Sequence, residues 1–227
     1  PHNPTGAMLS AEELRHIYAL AEAVGAWVLC DEAYRWIEVP GGKPFGPPMF
    51  DLGERGISVG TVSKPFGLPG LRLGWIAAPA AIVAQCWAMR DYLSLSPGKL
   101  SDALALLAFK HREKIIARNR TIISTNLQAA NDWIDANRDL LAWQPPQGGL
   151  LALLRYQLDM PSRQLADKLA TDYSVMLAPP SAFGYESYLR IGIGQHPAIF
   201  QAGLVQAQAC FDALRPYAGN TTSHAAR

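Results

Sequence analysis

The sequence is poor in several features that define whole classes of protein. Its three cysteines are too few and too scattered for a disulfide framework or a zinc site, which favours a reducing compartment and a cytoplasmic location. A formal net charge of +1 gives no basic field for nucleic acid or an anionic membrane. No apolar run reaches about 18 residues, so no membrane span is predicted. With 49% hydrophobic and 17% charged residues, the chain has the balance of a globular protein.

The order of helix and strand signals predicts an α/β fold. Ser10 and Glu13 form a capping box before a helix over 11–24, and the apolar run 26–30 predicts a buried strand after it. Loop, helix and strand in this order form the second half of a βαβ unit. Further strands are predicted at 57–62, 71–77, 148–156, 174–177 and 188–194, and further helices at 79–93, 100–137 with a break near His111, 162–173 with Ser162 as its cap, and 197–214.

Breaks in composition predict the domain boundaries. Pro97 and Gly98 interrupt the pattern, so a boundary is placed near residue 95, between a mostly parallel sheet in 1–95 and a smaller α+β part in 96–217. The small polar segment 218–227 is expected to be a disordered tail. The chain opens in a turn, PHNPTG, with no element before it, so we expect the front half of a larger protein to be absent.

The stretch TVSKPFGLPGLRLGW, residues 61–75, carries two cations and no carboxylate. If the stretch is buried, each cation needs a partner in the chain or in a ligand. Lys64 is either a solvated loop lysine or a desolvated amine that forms a Schiff base with a carbonyl. An aldehyde cofactor that carries a phosphate would also explain Arg72, with the hydroxyls of Thr61 and Ser63 nearby.

Asp31 ends the apolar run 26–30, and the carboxyl ends of strands in open α/β sheets face the ligand crevice. The residue is either a turn or cap aspartate, or a carboxylate that needs a cation. A protonated pyridine nitrogen would serve as that cation, and the pairing makes the ring a better electron sink. Tyr34, three residues later, would place a phenol over the same ring.

Two further residues have both a structural and a functional interpretation. Asn3 lies in a turn rich in Asn, Pro and Gly, and either shapes a tight turn or donates to a ring hydroxyl. Arg190 lies inside the apolar strand YLRIGIG. It is either a strand-edge charge paired with an aspartate or a bidentate clamp on a substrate carboxylate.

Four pieces in order, PHNPTG, DEAY, SKPFGLPGLRLG and LRIG, resemble the class I/II aminotransferases, which are fold-type I enzymes that use pyridoxal 5'-phosphate. The order and the eight-position spacing from Lys64 to Arg72 carry the resemblance, which runs from residue 1 to about residue 215. It implies that 1–95 is the remainder of the cofactor-binding large domain. It also implies that 96–217 is the C-terminal small domain with a long linking helix.

The resemblance also implies roles by position. Lys64 would be the Schiff-base lysine and the proton shuttle at the substrate α-carbon. Asp31 would pair with the pyridine nitrogen, and Tyr34 would complete the catalytic set. Arg190 would hold the substrate α-carboxylate, with Asn3 as a second substrate-binding residue that also contacts the ring 3-oxygen with Tyr34. The implied cofactor-binding set is Asn3, Asp31, Tyr34, Thr61, Ser63, Lys64 and Arg72.

The same resemblance implies partners. The substrates would be small molecules, an amino acid and a 2-oxo acid, and the full-length protein would be a homodimer. Neither metal, nucleic acid nor membrane is expected. The family's front half supplies sheet strands, a glycine-containing phosphate loop, an aromatic residue stacked on the ring and a residue that reaches across the dimer. We therefore expect this chain to hold about half of an active site.

Three hypotheses about function remain open. The leading one is transamination, in which an amino acid and a 2-oxo acid exchange an amino group. The second keeps the fold and changes the reaction to that of a carbon–sulfur lyase, a decarboxylase or a cyclase of arginine-derived amino acids. Arg190 argues against decarboxylation, because a clamped carboxylate is held away from the plane in which it would leave. The third is a sensing domain of a helix-turn-helix regulator, or an inactive truncated product.

Overall fold

The computed structural model describes residues 1–216, and the chain divides into two compact units. The first unit comprises Pro1, Ala7–Arg120 and Gln147–Gly149, and the second comprises His2–Gly6, Thr121–Pro146 and the chain from Leu150 on. The division falls at Arg120, whereas the predicted domain boundary at residue 95 remains a prediction. The predicted tail 218–227 and residue 217 lie outside the described residues.

The first unit begins with the predicted capping box. Helix α1 (Ala11–Ala23) starts where the Ser10 hydroxyl accepts from the Glu13 backbone N–H, and the Glu13 carboxylate accepts from the Ser10 N–H at 2.7 Å. Both contacts satisfy donors that the first helical turn leaves unpaired. Gly25 takes a left-handed φ of 70° just after the helix, the conformation in which a glycine commonly ends a helix.

A three-stranded sheet forms the centre of the first unit. Strands β1 (Val28–Asp31), β2 (Gly56–Thr61) and β3 (Gly74–Ala77) lie in that order, with β1 and β2 parallel and β2 and β3 antiparallel. The carboxyl ends of β1 and β2 therefore share one edge with the amino end of β3. The predicted burial of the first strand is wrong on one face. The Leu29 side chain is 65% exposed, because alternate side chains of a strand point to opposite faces and only one face is packed.

The rest of the first unit consists of helices and a group of packed aromatic side chains. It contains α2 (Ala80–Arg90), α3 (Lys99–Lys110) and the first part of α4 (Arg112–Asp135), with the predicted break at His111. Short 3₁₀ helices occupy Met49–Leu52 and Pro69–Leu71. The Trp36 and Trp75 rings stack with centroids 6.1 Å apart, and Phe66 meets Phe109 edge to face at 4.9 Å. These rings pack with buried Val62 into an apolar cluster.

The second unit is an antiparallel α+β arrangement. Strands β4 (Leu141–Trp143), β5 (Leu151–Tyr156) and β6 (Tyr188–Gly192) lie in that order beside α5 (Ser162–Tyr173) and α6 (Pro197–Leu214). The sequence did not predict β4. The predicted strand 174–177 is wrong, since only the next residue, Ala178, forms an isolated bridge, with Arg190. Pro161 is the cap of α5, and Ser162 is its first residue, buried beside the Tyr156 hydroxyl.

The core of the second unit is closely packed. Six large apolar side chains have no exposed area or almost none: Leu154, Leu165, Leu169, Leu189, Ile193 and Phe211. They come from both helices, from β5 and β6, and from the residue just after β6, so the elements of this unit bury a common core. Among the described residues, no helix is long and apolar enough to cross a bilayer.

Candidate active site

The loop after β2 holds Lys64 between two buried anchors. Val62 and Phe66 are almost fully buried in the aromatic cluster, and the Asn119 side-chain amide donates to the Pro65 carbonyl at 2.8 Å. The backbone around Lys64 is therefore fixed while its side chain is exposed. The Lys64 amine is exposed because its apolar neighbours in sequence pack beneath the loop and not around the amine.

Two hydroxyls lie next to Lys64 at the end of β2. The Thr61 hydroxyl lies 2.9 Å from Ser63 Oγ and 3.0 Å from the Leu73 carbonyl oxygen, and it accepts from the Ser63 backbone N–H at 3.1 Å. Both residues are half-buried. Thr61 therefore fixes the first turn of the loop and orients the Ser63 hydroxyl beside the lysine.

Arg72 reaches the same edge of the sheet from β3. It lies two positions before Gly74, which is paired with Thr61 across the sheet. Its backbone is left-handed, with a φ of 48°, and its Nη1 donates to the Pro69 carbonyl at 3.0 Å. The guanidinium is exposed, so it can meet an anion at this edge.

Asp31 and Tyr34 lie at the carboxyl end of β1. Asp31 is exposed and is paired with Val59 of β2, and its Oδ1 accepts from the Ala33 N–H at 3.0 Å. This bond supports the turn-residue interpretation of Asp31 without excluding the functional one, because a carboxylate accepts several hydrogen bonds. Tyr34 is half-buried in the turn that follows.

The structure thus brings six of the eight predicted site residues to one edge of one sheet, all of them in the first unit: Asp31, Tyr34, Thr61, Ser63, Lys64 and Arg72. The other two, Asn3 and Arg190, belong to the second unit and form a pair of their own.

In that pair, Arg190 Nη1 donates to Asn3 Oδ1 at 3.1 Å. The arginine lies in β6 and exchanges backbone hydrogen bonds with Ala178, at 2.8 and 3.3 Å. The predicted alternative of an ion pair with an aspartate is not found among the residues the structure describes. Asparagine fixes one guanidinium nitrogen and leaves its charge uncompensated, which suits an arginine that binds an anion.

The turn that holds Asn3 depends on a glycine. The Gly6 N–H donates to the His2 carbonyl at 2.8 Å, and the Asn3–Pro4 peptide bond is cis. Gly6 has a φ of 70°, and a Cβ added there would lie 2.4 Å from the Pro146 Cβ and 2.8 Å from the Leu151 carbonyl oxygen. Neither the conformation nor the space admits another residue without rearrangement.

Glu32 was not among the predicted site residues. It follows Asp31 directly, its side chain is only 9% exposed, and it forms an ion pair with Arg35 at 3.1 Å. An acidic residue at a strand end with an arginine three positions later was the only signal in the sequence. Its partners from other elements become visible only in the folded chain.

The side-chain groups at the sheet edge match the chemical groups of pyridoxal 5'-phosphate. An amine suits its aldehyde, a carboxylate suits its pyridine nitrogen, and a guanidinium with hydroxyls suits its phosphate. Lys64, Asp31, Arg72 and Ser63 supply these groups, and Thr61 orients Ser63.

Comparison with known sequences agrees with this site. The family described as aminotransferase class I and II matches residues 1–199. Capreomycidine synthase from Streptomyces vinaceus is 33% identical over 195 residues, which are 85% of this chain and 49% of that protein. Nicotianamine aminotransferase A from Hordeum vulgare is 27% identical over 218 residues, covering 90% of this chain and 47% of that protein. The chain thus spans about half the length of these curated relatives.

Solved structures show the same fold. A PLP-dependent aminotransferase from Streptococcus suis aligns with a TM-score of 0.88 and 29% identity over 94% of this chain and 56% of its own. A PLP-dependent cyclase aligns with a TM-score of 0.85 and 31% identity, over 95% of this chain and 57% of its own. These neighbours confirm the predicted α/β, fold-type I architecture, and both are enzymes that depend on pyridoxal 5'-phosphate. The chain therefore belongs to the class I and II aminotransferase family.

Proposed function

We propose that this protein is a pyridoxal-phosphate-dependent aminotransferase that moves an amino group between an amino acid and a 2-oxo acid. The observation that carries the proposal is the shared edge of the sheet, where an amine, a carboxylate, hydroxyls and a guanidinium converge. Lys64 binds the cofactor aldehyde, and Arg72 and Ser63, with Thr61, bind its phosphate.

The residues of the first unit direct the reaction. When bound, the cofactor acts as an electron sink for the carbanion left at the substrate α-carbon. Asp31 keeps the ring nitrogen protonated by charge pairing, and Tyr34 hydrogen-bonds the ring 3-oxygen. The Lys64 amine would take the proton from the substrate α-carbon as a general base and give it back as a general acid.

The pair in the second unit is proposed to bind substrate. Arginine has five N–H donors in a planar fork, which matches a carboxylate bidentately. Asn3 accepts from Nη1 of Arg190 and so fixes the plane of the guanidinium. The further contact of Asn3 with the ring 3-oxygen is also part of the proposal.

We further propose a homodimer that works in amino acid metabolism in the cytoplasm. The homodimer and the metabolic role are supported by the family resemblance alone. The location has one more support, since Cys30, Cys86 and Cys210 are all free thiols, as expected in a reducing compartment.

Transfer of labelled nitrogen tests the reaction. The protein expressed from its complete coding sequence is incubated with pyridoxal phosphate, ¹⁵N-labelled amino acids and a 2-oxo acid, and label in the new amino acid is measured. We expect transfer that Lys64→Ala reduces to background. Lys110→Ala, an exposed lysine at the end of α3, is the matched control and should leave the rate within about twofold. Transfer that persists in Lys64→Ala contradicts the proposal.

Ring closure of a substrate amino acid is the second candidate function. It is favoured by the similarity to a protein named capreomycidine synthase and to a solved PLP-dependent cyclase. A cyclase uses one substrate, such as an arginine-derived amino acid, and needs no amino acceptor. Omission of the 2-oxo acid therefore separates the candidates. An aminotransferase stops after about one turnover per site, whereas a cyclase continues with the nitrogen retained in the product.

A further inference from the structure

The carboxylate of Glu32 joins three separate parts of the first unit. Its Oε1 accepts from Ser58 Oγ of β2 at 2.6 Å and from the Met49 backbone N–H at 2.9 Å. Its Oε2 accepts from Nη1 of Arg35 at 3.1 Å. A single side chain thus ties the end of β1 to the neighbouring strand and to the 3₁₀ helix Met49–Leu52.

The partners of Glu32 extend the network by one more contact each. Ser58 Oγ accepts from the Phe50 N–H at 3.0 Å, and Nη2 of Arg35 donates to the Gly46 carbonyl at 2.7 Å. The Ser58 residue is 4% exposed and the Arg35 side chain 18%. Removal of the carboxylate would leave a hydroxyl, an N–H and a guanidinium short of a partner in poorly hydrated surroundings.

Glu32 and its neighbour Asp31, which is proposed to bind the cofactor ring, lie on opposite faces of the sheet. Along β1 the exposed side chains are those of Leu29 and Asp31, and Glu32 follows on the opposite, packed face. The Glu32 N–H donates to the Val59 carbonyl at 2.8 Å, and its carbonyl accepts from the Arg35 N–H at 2.9 Å. Glu32 is therefore fixed through main chain and side chain together.

The same fixation reaches Asp31 and Tyr34. The Asp31 Oδ1 accepts from Ala33, the first residue of the turn 33–36 that also carries Tyr34 and ends on Trp36. Because the Arg35 backbone and guanidinium both bind Glu32, a shift of Glu32 moves this turn, and with it the Asp31 carboxylate and the phenol.

We propose that Glu32 is a positioning residue for the reaction. Its carboxylate, held by Ser58, Met49 and Arg35, sets the place of Asp31 and Tyr34 at the cofactor ring without touching the ring itself. The inference rests on the proposed roles of Asp31 and Tyr34.

The test compares Glu32→Ala, Glu32→Gln and Ser58→Ala in the protein expressed from its complete coding sequence. The readouts are the pH dependence of the absorption band of bound pyridoxal phosphate, the Kd of the cofactor, and kcat and KM separately. In Glu32→Ala we expect kcat to fall about 100-fold, the effect of misplacing a catalytic group by about 1 Å. KM should stay within about twofold, and the pH dependence of the band should move toward that of Asp31→Asn.

The conservative variants keep the test decisive if Glu32→Ala does not fold. A glutamine at position 32 still offers an oxygen to Ser58 and Met49 but turns a donor toward Arg35, so Glu32→Gln should recover part of the rate and of the band. Ser58→Ala should lose less than Glu32→Ala, because it removes one donor of three. A wild-type band and kcat in all folded variants overturn the inference.

Glu13→Gln is the matched control. It also removes a carboxylate that binds a backbone N–H and a cation in the first unit, but at the start of α1. It should lower stability with no change in the band or in kcat, and a band shift equal to that of Glu32→Gln would also overturn the inference. If borohydride traps no cofactor on Lys64 of the wild type, the proposed function fails and this inference with it. If borohydride does trap the cofactor on Lys64, wild-type behaviour of the Glu32 variants overturns only the inference about Glu32.

Discussion

The two compact units differ in how completely they bury their apolar side chains. In the second unit, β5 and α6 contribute fully buried residues such as Leu154 and Phe211. In the first unit, α2 buries none of its residues, and Trp87 and Leu93 are 67% and 86% exposed. All the candidate cofactor residues except Asn3 lie in the first unit, and the better packed core lies in the second.

The better packed unit is therefore not the unit that carries most of the candidate cofactor residues. Local stability follows buried apolar contacts, so the second unit should resist unfolding more strongly than the first. Contiguous exposed apolar surface in a soluble protein generally marks a place where something binds. The candidate cofactor edge is held instead by polar contacts and by one aromatic cluster around Phe66.

The largest expected effect contrasts one aromatic residue from each unit. Phe211→Ala removes a fully buried ring from the second unit and should lower the free energy of unfolding by about 3–5 kcal/mol. Trp87→Ala removes a mostly exposed ring that stacks with the Arg90 guanidinium, and should cost about 1 kcal/mol or less. Urea titration of the 227-residue chain measures both. Equal losses would remove the contrast between the units.

Asp31→Asn should have the next largest effect, and on catalysis rather than on folding. Loss of the charge partner of the ring nitrogen should raise the barrier to proton abstraction by about 3 kcal/mol, which lowers kcat on the order of 100-fold. Cofactor binding should be largely retained. Steady-state kinetics and a cofactor titration of the protein from its complete coding sequence measure the two. A kcat within about twofold of wild type would leave Asp31 as a turn residue only.

Arg190→Gln should have a smaller effect and a different kinetic signature. A charge-assisted hydrogen bond is worth about 1.5–3 kcal/mol, so KM for the amino acid should rise about 10- to 100-fold. The Kd of the cofactor, which we assign to the first unit, should not change. Steady-state kinetics gives the KM for the amino acid, and a cofactor titration gives the Kd. If kcat falls while KM stays at its wild-type value, Arg190 does not serve as a carboxylate clamp in the ground state.

The smallest expected effect is a loss of stability at low pH, to which one glutamate in each unit should contribute. A hydrogen bond from the Ser10 backbone N–H holds the pKa of Glu13 below its ordinary value of 4.5, and the Ser162 backbone N–H does the same for the pKa of Glu186. A lowered folded-state pKa gives stability above the unfolded pKa that is lost as the pH falls through the folded value. Urea midpoints below about pH 4.5 should therefore decline, and less so in Glu13→Gln or Glu186→Gln. An unchanged decline in both variants contradicts this assignment.

Local chemistry made much of the fold predictable. The capping box at Ser10, the break at His111 and the helix Pro197–Leu214 follow from neighbouring residues alone, and all three are confirmed. The order of the short motifs likewise predicted which residues follow the strand ends. Lys64 and Asp31 lie at one edge because β1 and β2 are parallel, as the predicted mostly parallel sheet implies.

Features that depend on contacts distant in sequence were not predictable. Strand β4 has three residues and exists through its pairing with β5, and the segment 174–177 has strand-like composition without that pairing. The exposure of Leu29 depends on which face of the sheet is packed. Glu32 shows the same limit, because it meets Ser58 26 positions away, and no pattern in the sequence connects the two.

Covalent trapping at Lys64 tests the central claim most directly. The protein from its complete coding sequence is loaded with pyridoxal phosphate, reduced with borohydride, digested and analysed by mass spectrometry. We predict one modified peptide that carries the reduced cofactor on Lys64, and loss of both the adduct and the imine absorption band in Lys64→Ala, with the exposed Lys110 unmodified. An adduct on another lysine, or an unchanged band in Lys64→Ala, would contradict the assignment of the site.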